Sequence, residues 1–119
     1  RIGDAGGGWP GTFEDVARGA DHLAVIADDY ALDLGRVIAA GHSAGGQLAL
    51  WLAARARFPA ESPFAAESPI EVRGVLALAP AADFDYLYEH GTCDRAVERG
   101  RVPRASSRRL PRRVPRLRA

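Results

Sequence analysis

Apolar residues recur at Phe13, Val16, Ala20, Leu23, Ala24 and Ala27, a spacing that gathers them on one face of a helix. The pattern predicts a helix from about Phe13 to Tyr30. Thr12 is its expected N-cap, and Asp15 three positions on gives a weaker form of the capping box. Asp28 and Asp29 oppose the helix dipole near its end, so fraying is expected there. Leu32–Gly35 reads as a turn. The run RVIAA, Arg36–Ala40, then reads as a short strand between Gly35 and Gly41. After Gly45-Gly46, QLALWLAARARF combines strong helix formers with a broad apolar surface. It predicts a helix packed deep against a sheet and stopped at Phe58 by Pro59. Residues 59–69 form a Pro/Ser/Glu loop. VRGVLALA, Val72–Ala79, is a near-continuous apolar strand of the kind covered on both faces in a parallel sheet. Pro80 ends it, and loop with a helical turn follows.

The order helix, strand, glycine turn, helix, loop, strand is αβαβ, which assigns the chain to the α/β class with a parallel sheet and crossover helices. Two strands are fewer than such a sheet uses, so the expectation is a portion of a doubly wound domain. Length (119 residues) and 47% hydrophobic content fit one modest globular unit. The single cysteine, Cys93, excludes an internal disulfide and a multi-cysteine metal site. No apolar stretch reaches the roughly 18 residues of a membrane span. No leader of charged-then-apolar type opens the chain, so a cytoplasmic location is expected. The chain has no methionine, which fits a piece of a longer protein. The opening RIGDAGGGWPG is loop-like, with Trp9-Pro10 as a rigid anchor. Its glycines lack the GK[ST] that a phosphate cradle needs.

Charge divides the chain unevenly. Residues 1–100 carry all fifteen acidic groups and eight arginines, and residues 101–119 carry eight arginines and no acid. The first segment is the expected domain. The second, RVPRASSRRLPRRVPRLRA, has no helical stripe and no aromatic for base stacking. Three readings apply to it: out-of-frame or truncated coding text, a solvated disordered tail, or a basic arm for nucleic acid or anionic membrane. The first is preferred, because GC-rich DNA read out of frame yields Arg/Pro/Ala/Ser-rich sequence. No nucleic-acid partner is expected.

The chemistry concentrates at Gly41-His42-Ser43-Ala44-Gly45, a G-x-S-x-G motif between strand and helix. A sharp strand-to-helix reversal forces the serine into a strained conformation and exposes its hydroxyl above the sheet edge. Side chains two residues before and after would collide there, so glycine is expected at both places. The Ala44 N–H points toward a developing oxyanion, and the helix N-terminus adds a favourable dipole. A plain turn that happens to contain serine is the competing reading.

With WPGTFEDV (9–16), LDLGRVIAAGHSAGGQLALWLAAR (32–55) and VRGVLALAPAADF (72–84), the chain resembles part of an α/β-hydrolase. The resemblance is to the small esterase/lipase group that includes hormone-sensitive-lipase-like and kynurenine-formamidase-like enzymes. It implies a serine hydrolase for carboxylic esters or small amides, with Ser43 as nucleophile and Ala44 N–H as an oxyanion donor. His42 would lie near the site without acting as the base, and Gly46 would let the helix pack closely on the sheet. No cofactor is implied, and the partner is a small-molecule ester or amide. The family's chain order is Ser, then Asp or Glu, then His. Asp83, after the second strand, and His90, the only histidine downstream of Ser43, are the in-chain acid and base candidates, although seven residues with no intervening strand is poor geometry for a base. A catalytically incomplete fragment of such an enzyme is the alternative.

Overall fold

The computed structural model describes residues 8–91; the tail at 101–119 and Cys93 lie outside the described residues. The helices are α1 (Gly11–Asp21), α2 (Leu23–Ile26), α3 (Ala44–Ala54) and α4 (Phe84–His90). The strands are β1 (Val37–His42) and β2 (Val72–Leu78). The strands pair in parallel from Val37↔Val72 to His42↔Leu78, with one irregularity between Val37 and Ile38. A parallel pair requires a crossover, and α3 with the 59–69 loop supplies it. The chain is thus α/β, a parallel sheet flanked by helices.

The second strand falls where the hydrophobic pattern places it, but β1 runs on through Gly41 to His42 instead of stopping at Ala40, and α3 opens at Ala44, before Gly45-Gly46, and ends at Ala54, tightening into a 3₁₀ turn at Arg55–Arg57 before Phe58 turns extended. The first helix differs. It starts at Gly11 with Pro10 in the N-cap position, so Thr12 lies inside the first turn. The Thr12 hydroxyl accepts from Gly8 N–H at 2.9 Å, and Thr12 N–H donates to Gly8 O at 2.9 Å. Asp15 accepts from Arg18 instead of completing a box. Helix stops at Ile26, short of the expected end near Tyr30, and residues 27–31 form a turn closed by a Schellman arrangement: Leu32 N–H reaches Ala27 O at 2.9 Å and Ala31 N–H reaches Asp28 O at 3.4 Å. Ala31 takes the left-handed position there, with φ 51°. Between α1 and that end the regular ladder lapses at His22.

Covering of the sheet also departs from expectation. Burial alternates along β1 because α3 covers one face only. The other presents Ile38, Leu76 and Leu78, each more than half exposed. The apolar richness of β2 therefore reports a strand fit for two covers, of which the described residues supply one.

The core lies on the α3 side. Trp9, Phe13, Trp51, Phe58 and Phe64 form a chain of edge-to-face contacts with ring centroids 5.0–5.6 Å apart. This geometry satisfies the ring quadrupoles; Phe64 is buried at its centre, Phe13, Trp51 and Phe58 are half-buried, and Trp9 closes the edge exposed to solvent. Beside it, Arg55 is buried. Its two terminal nitrogens grip the Asp21 carboxylate at 2.6 and 2.7 Å, and its Nε donates to Phe64 O at 2.9 Å. One ion pair thus ties α1 to the end of α3 and to the loop leading into β2. The Arg55 hydrogen bond holds the Asp21 carboxyl below its ordinary value of 3.8, with the guanidinium charge and the Ile70 backbone adding to the effect against the opposing pull of burial.

Removing one partner of a buried pair leaves the other uncompensated. Asp21→Asn is expected to lower stability by about 2 kcal/mol, reduced from the fully buried case because Asp21 is part-exposed. A depressed carboxyl pKa stabilises the fold above its unfolded value, and the contribution fades as pH falls through the folded value. Urea unfolding should therefore show the gap between the wild-type and Asp21→Asn chains constant above about pH 5 and closing below it.

Candidate active site

Gly41 stands where the end of β1 meets the first turn of α3. A Cβ on Gly41 would overlap the Gly45 carbonyl and lie 2.8 Å from Gly46 N, so only hydrogen fits. Gly46 faces the same junction: a Cβ there would come within 3.0 Å of Gly41 O and 3.1 Å of Pro80 Cβ. Gly45 does not behave as expected from the motif. A Cβ at that position meets nothing within 4 Å. The helix rotates about 100° per residue, so Gly46 and not Gly45 turns toward the strands. The close approach is therefore made by Gly41 and Gly46.

Ser43, between them, has φ 54° and ψ −120°, a conformation that costs a non-glycine residue on the order of 1–3 kcal/mol. It occupies the N-cap position of α3, yet its side chain makes no capping hydrogen bond. An ordinary serine N-cap has extended backbone and spends its hydroxyl on the helix. Here the hydroxyl is left over. The backbone is engaged on both sides: Ser43 N–H donates to Leu78 O at 2.9 Å, and Ser43 O accepts from Gln47 N–H at 3.1 Å and Ala81 N–H at 3.2 Å. Ala44, next in the chain, opens α3, so its N–H is among the first-turn donors that no carbonyl within the helix reaches. His42 is exposed at the end of β1, on the uncovered face.

Asp83 and His90 are drawn into α4 itself. The Asp83 carboxylate caps the helix by accepting from Tyr86 N–H at 2.9 Å. His90, one helix length away, has Nδ1 2.9 Å from Tyr86 O, and its ring stacks on Tyr86 with centroids 4.1 Å apart. Neither side chain hydrogen-bonds the other or Ser43. An open cleft of about 280 Å³ runs beside β1 and α3, lined by Val16, Ala39, Leu48 and Leu52 among others. Its lining carries no ionisable group and does not include Ser43. No described helix is long and apolar enough to cross a membrane.

A parallel sheet whose strand turns into a helix over glycines, with a strained serine at the turn, has the layout of an α/β-hydrolase. Residues 4–106 match the BD-FAE family, and the chain belongs to it; this is a family of esterase-type hydrolases within the α/β-hydrolase superfamily. No curated protein and no solved structure shows significant similarity to the chain. The residue that motif reasoning passed over is Ala79. Its φ of 42° carries no sequence signal, because the residue is not glycine.

Two substitutions separate the glycines. Gly41→Ala should cost about 3 kcal/mol or more, because all three colliding atoms are backbone and cannot step aside. Gly45→Ala should be neutral or stabilising by up to about 1 kcal/mol, the helix-propensity gain of alanine. The urea midpoint of Gly41→Ala should fall, and that of Gly45→Ala should stay level or rise.

Proposed function

We propose that the chain is the nucleophile-bearing part of a serine hydrolase that cleaves carboxylic esters or small amides through an acyl-enzyme on Ser43. The observation that carries this reading is a serine in N-cap position, at φ 54°, whose hydroxyl makes no capping bond. Strain of that kind persists where the surrounding structure over-determines it and is concentrated at functional sites. Membership of an esterase-type family supports the same reading. The three stretches at 9–16, 32–55 and 72–84 favour kinship with the small esterase/lipase group, hormone-sensitive-lipase-like and kynurenine-formamidase-like.

In this mechanism Ser43 Oγ attacks the substrate carbonyl carbon. The carbonyl oxygen takes up the electron pair and accepts from Ala44 N–H at the positive end of α3. Collapse of the tetrahedral species expels the alcohol or amine, which takes up a proton, and water then releases the acid from Ser43. A base must receive the Ser43 proton. With Asp83 capping α4 and His90 stacked on Tyr86, neither is assigned that role. No cofactor enters the scheme.

A fluorophosphonate probe should label the full chain on Ser43, as read by intact mass and peptide mapping, and Ser43→Ala should abolish the label. His90→Ala should leave the labelling rate within about twofold, because its ring serves α4 and not the serine; a loss of tenfold or more, a full 1.4 kcal/mol, would instead make it the base. Failure of the wild-type chain to label would overturn the reading of this chain as an active serine hydrolase.

A further inference from the structure

Two strained residues sit side by side at the end of the sheet. The register ends at His42↔Leu78, so Ser43 and Ala79 are the first residues beyond paired strands. Both are non-glycine residues with left-handed φ, 54° and 42°. The left-handed step at Ala79 turns the chain back over α3. It brings Pro80 against Gly46 and places Ala81 N–H 3.2 Å from Ser43 O. The Ser43 carbonyl thus holds two donors, one from its own helix (Gln47) and one from the turn after β2 (Ala81).

That carbonyl belongs to the same peptide unit as Ala44 N–H. The unit is planar and trans, so its C=O and N–H point in opposite directions. Fixing the oxygen on two sides fixes the line along which Ala44 N–H is aimed. We propose that Ala79 is a positioning residue: its left-handed turn clamps the Ser43 carbonyl through Ala81 N–H and so aims the Ala44 N–H at the site where an oxyanion would form. The inference rests on the serine-hydrolase reading for its purpose, and on backbone geometry alone for its mechanism.

The test is a series at one position in the full chain: Ala79→Gly and Ala79→Asn, which tolerate left-handed φ, and Ala79→Val, which does not. Amide NMR on ¹⁵N-labelled chains should show Ala81 N–H losing exchange protection and the Ala44 resonance shifting in Ala79→Val alone. Fluorophosphonate labelling of Ser43 should slow about tenfold in that variant, since small misplacements at a reacting centre carry large rate costs. It should stay within about twofold of wild type in the Gly and Asn variants, whose rescue a merely bulky-residue effect on stability would not explain. Should Ala79→Val not fold, a through-hydrogen-bond coupling between Ala81 N and the Ser43 carbonyl carbon in the wild-type chain decides: its presence supports the clamp and its absence overturns it. A folded Ala79→Val chain with unchanged Ala44 resonance and labelling rate also overturns it. A wild-type chain that does not label, but whose Ala44 resonance follows the series as described, supports the clamp while overturning the hydrolase reading.

Discussion

The structure turns on the contact between Gly41 and the first turn of α3. Strand and helix backbones meet there with no side chain between them. That approach sets how near α3 lies to the sheet, and so which face of the helix is buried. It also forces the reversal within a single residue, leaving Ser43 no ordinary backbone conformation to occupy. The strain at Ser43 is thus a result of packing. It is held in place by the register of β1 on β2, by Gly46 against Pro80, and by the hydrogen bonds that Ser43 exchanges with Leu78 and Ala81.

A second constraint acts at the other end of α3. There the aromatic contacts and the Arg55–Asp21 pair gather α1, α3 and the 59–69 loop. The helix is pinned at its N-terminus by backbone contact and near its C-terminus by a side-chain ion pair. The serine proposed as nucleophile lies at the first of these ends, where positions are set by peptide planes and hydrogen bonds and not by rotatable side chains. A reacting centre built this way loses little orientation to thermal motion.

Much of this was legible in residue order, and the exceptions have physical causes. The strands and α3 follow from short apolar runs bounded by glycine and proline, because those residues punctuate the backbone directly. Gly41 and Ser43 follow from the motif, although the motif gives Gly45 the weight that the helical rotation transfers to Gly46. Thr12 misleads because Pro10 takes the N-cap position and the helix begins two residues earlier, and its hydroxyl finds Gly8 instead. The left-handed alanines 31 and 79 leave no trace in the sequence, since a local closing turn at 31 and contacts across the sheet end at 79, and not residue type, set their φ. Arg55 and Asp21 are thirty-four positions apart, and no local pattern links a charge to a partner that far away. For the same reason Asp83 and His90 could be paired by residue type but not by position: each had a nearer backbone partner in α4.

All sixteen lysine-or-arginine positions in this protein are arginine, and at the exposed described positions that make ion pairs the choice is interchangeable. Arg18, Arg36 and Arg73 are largely exposed and make ion pairs that a lysine could replace. Position 55 is different. Its three guanidinium nitrogens address two acceptors in fixed directions, and an ammonium on a flexible stem cannot reproduce that fork. A lineage free to drift between the two cations would therefore find one closed site among the open ones. The trace of the ion pair would appear as a single arginine that never changes while its exposed counterparts do.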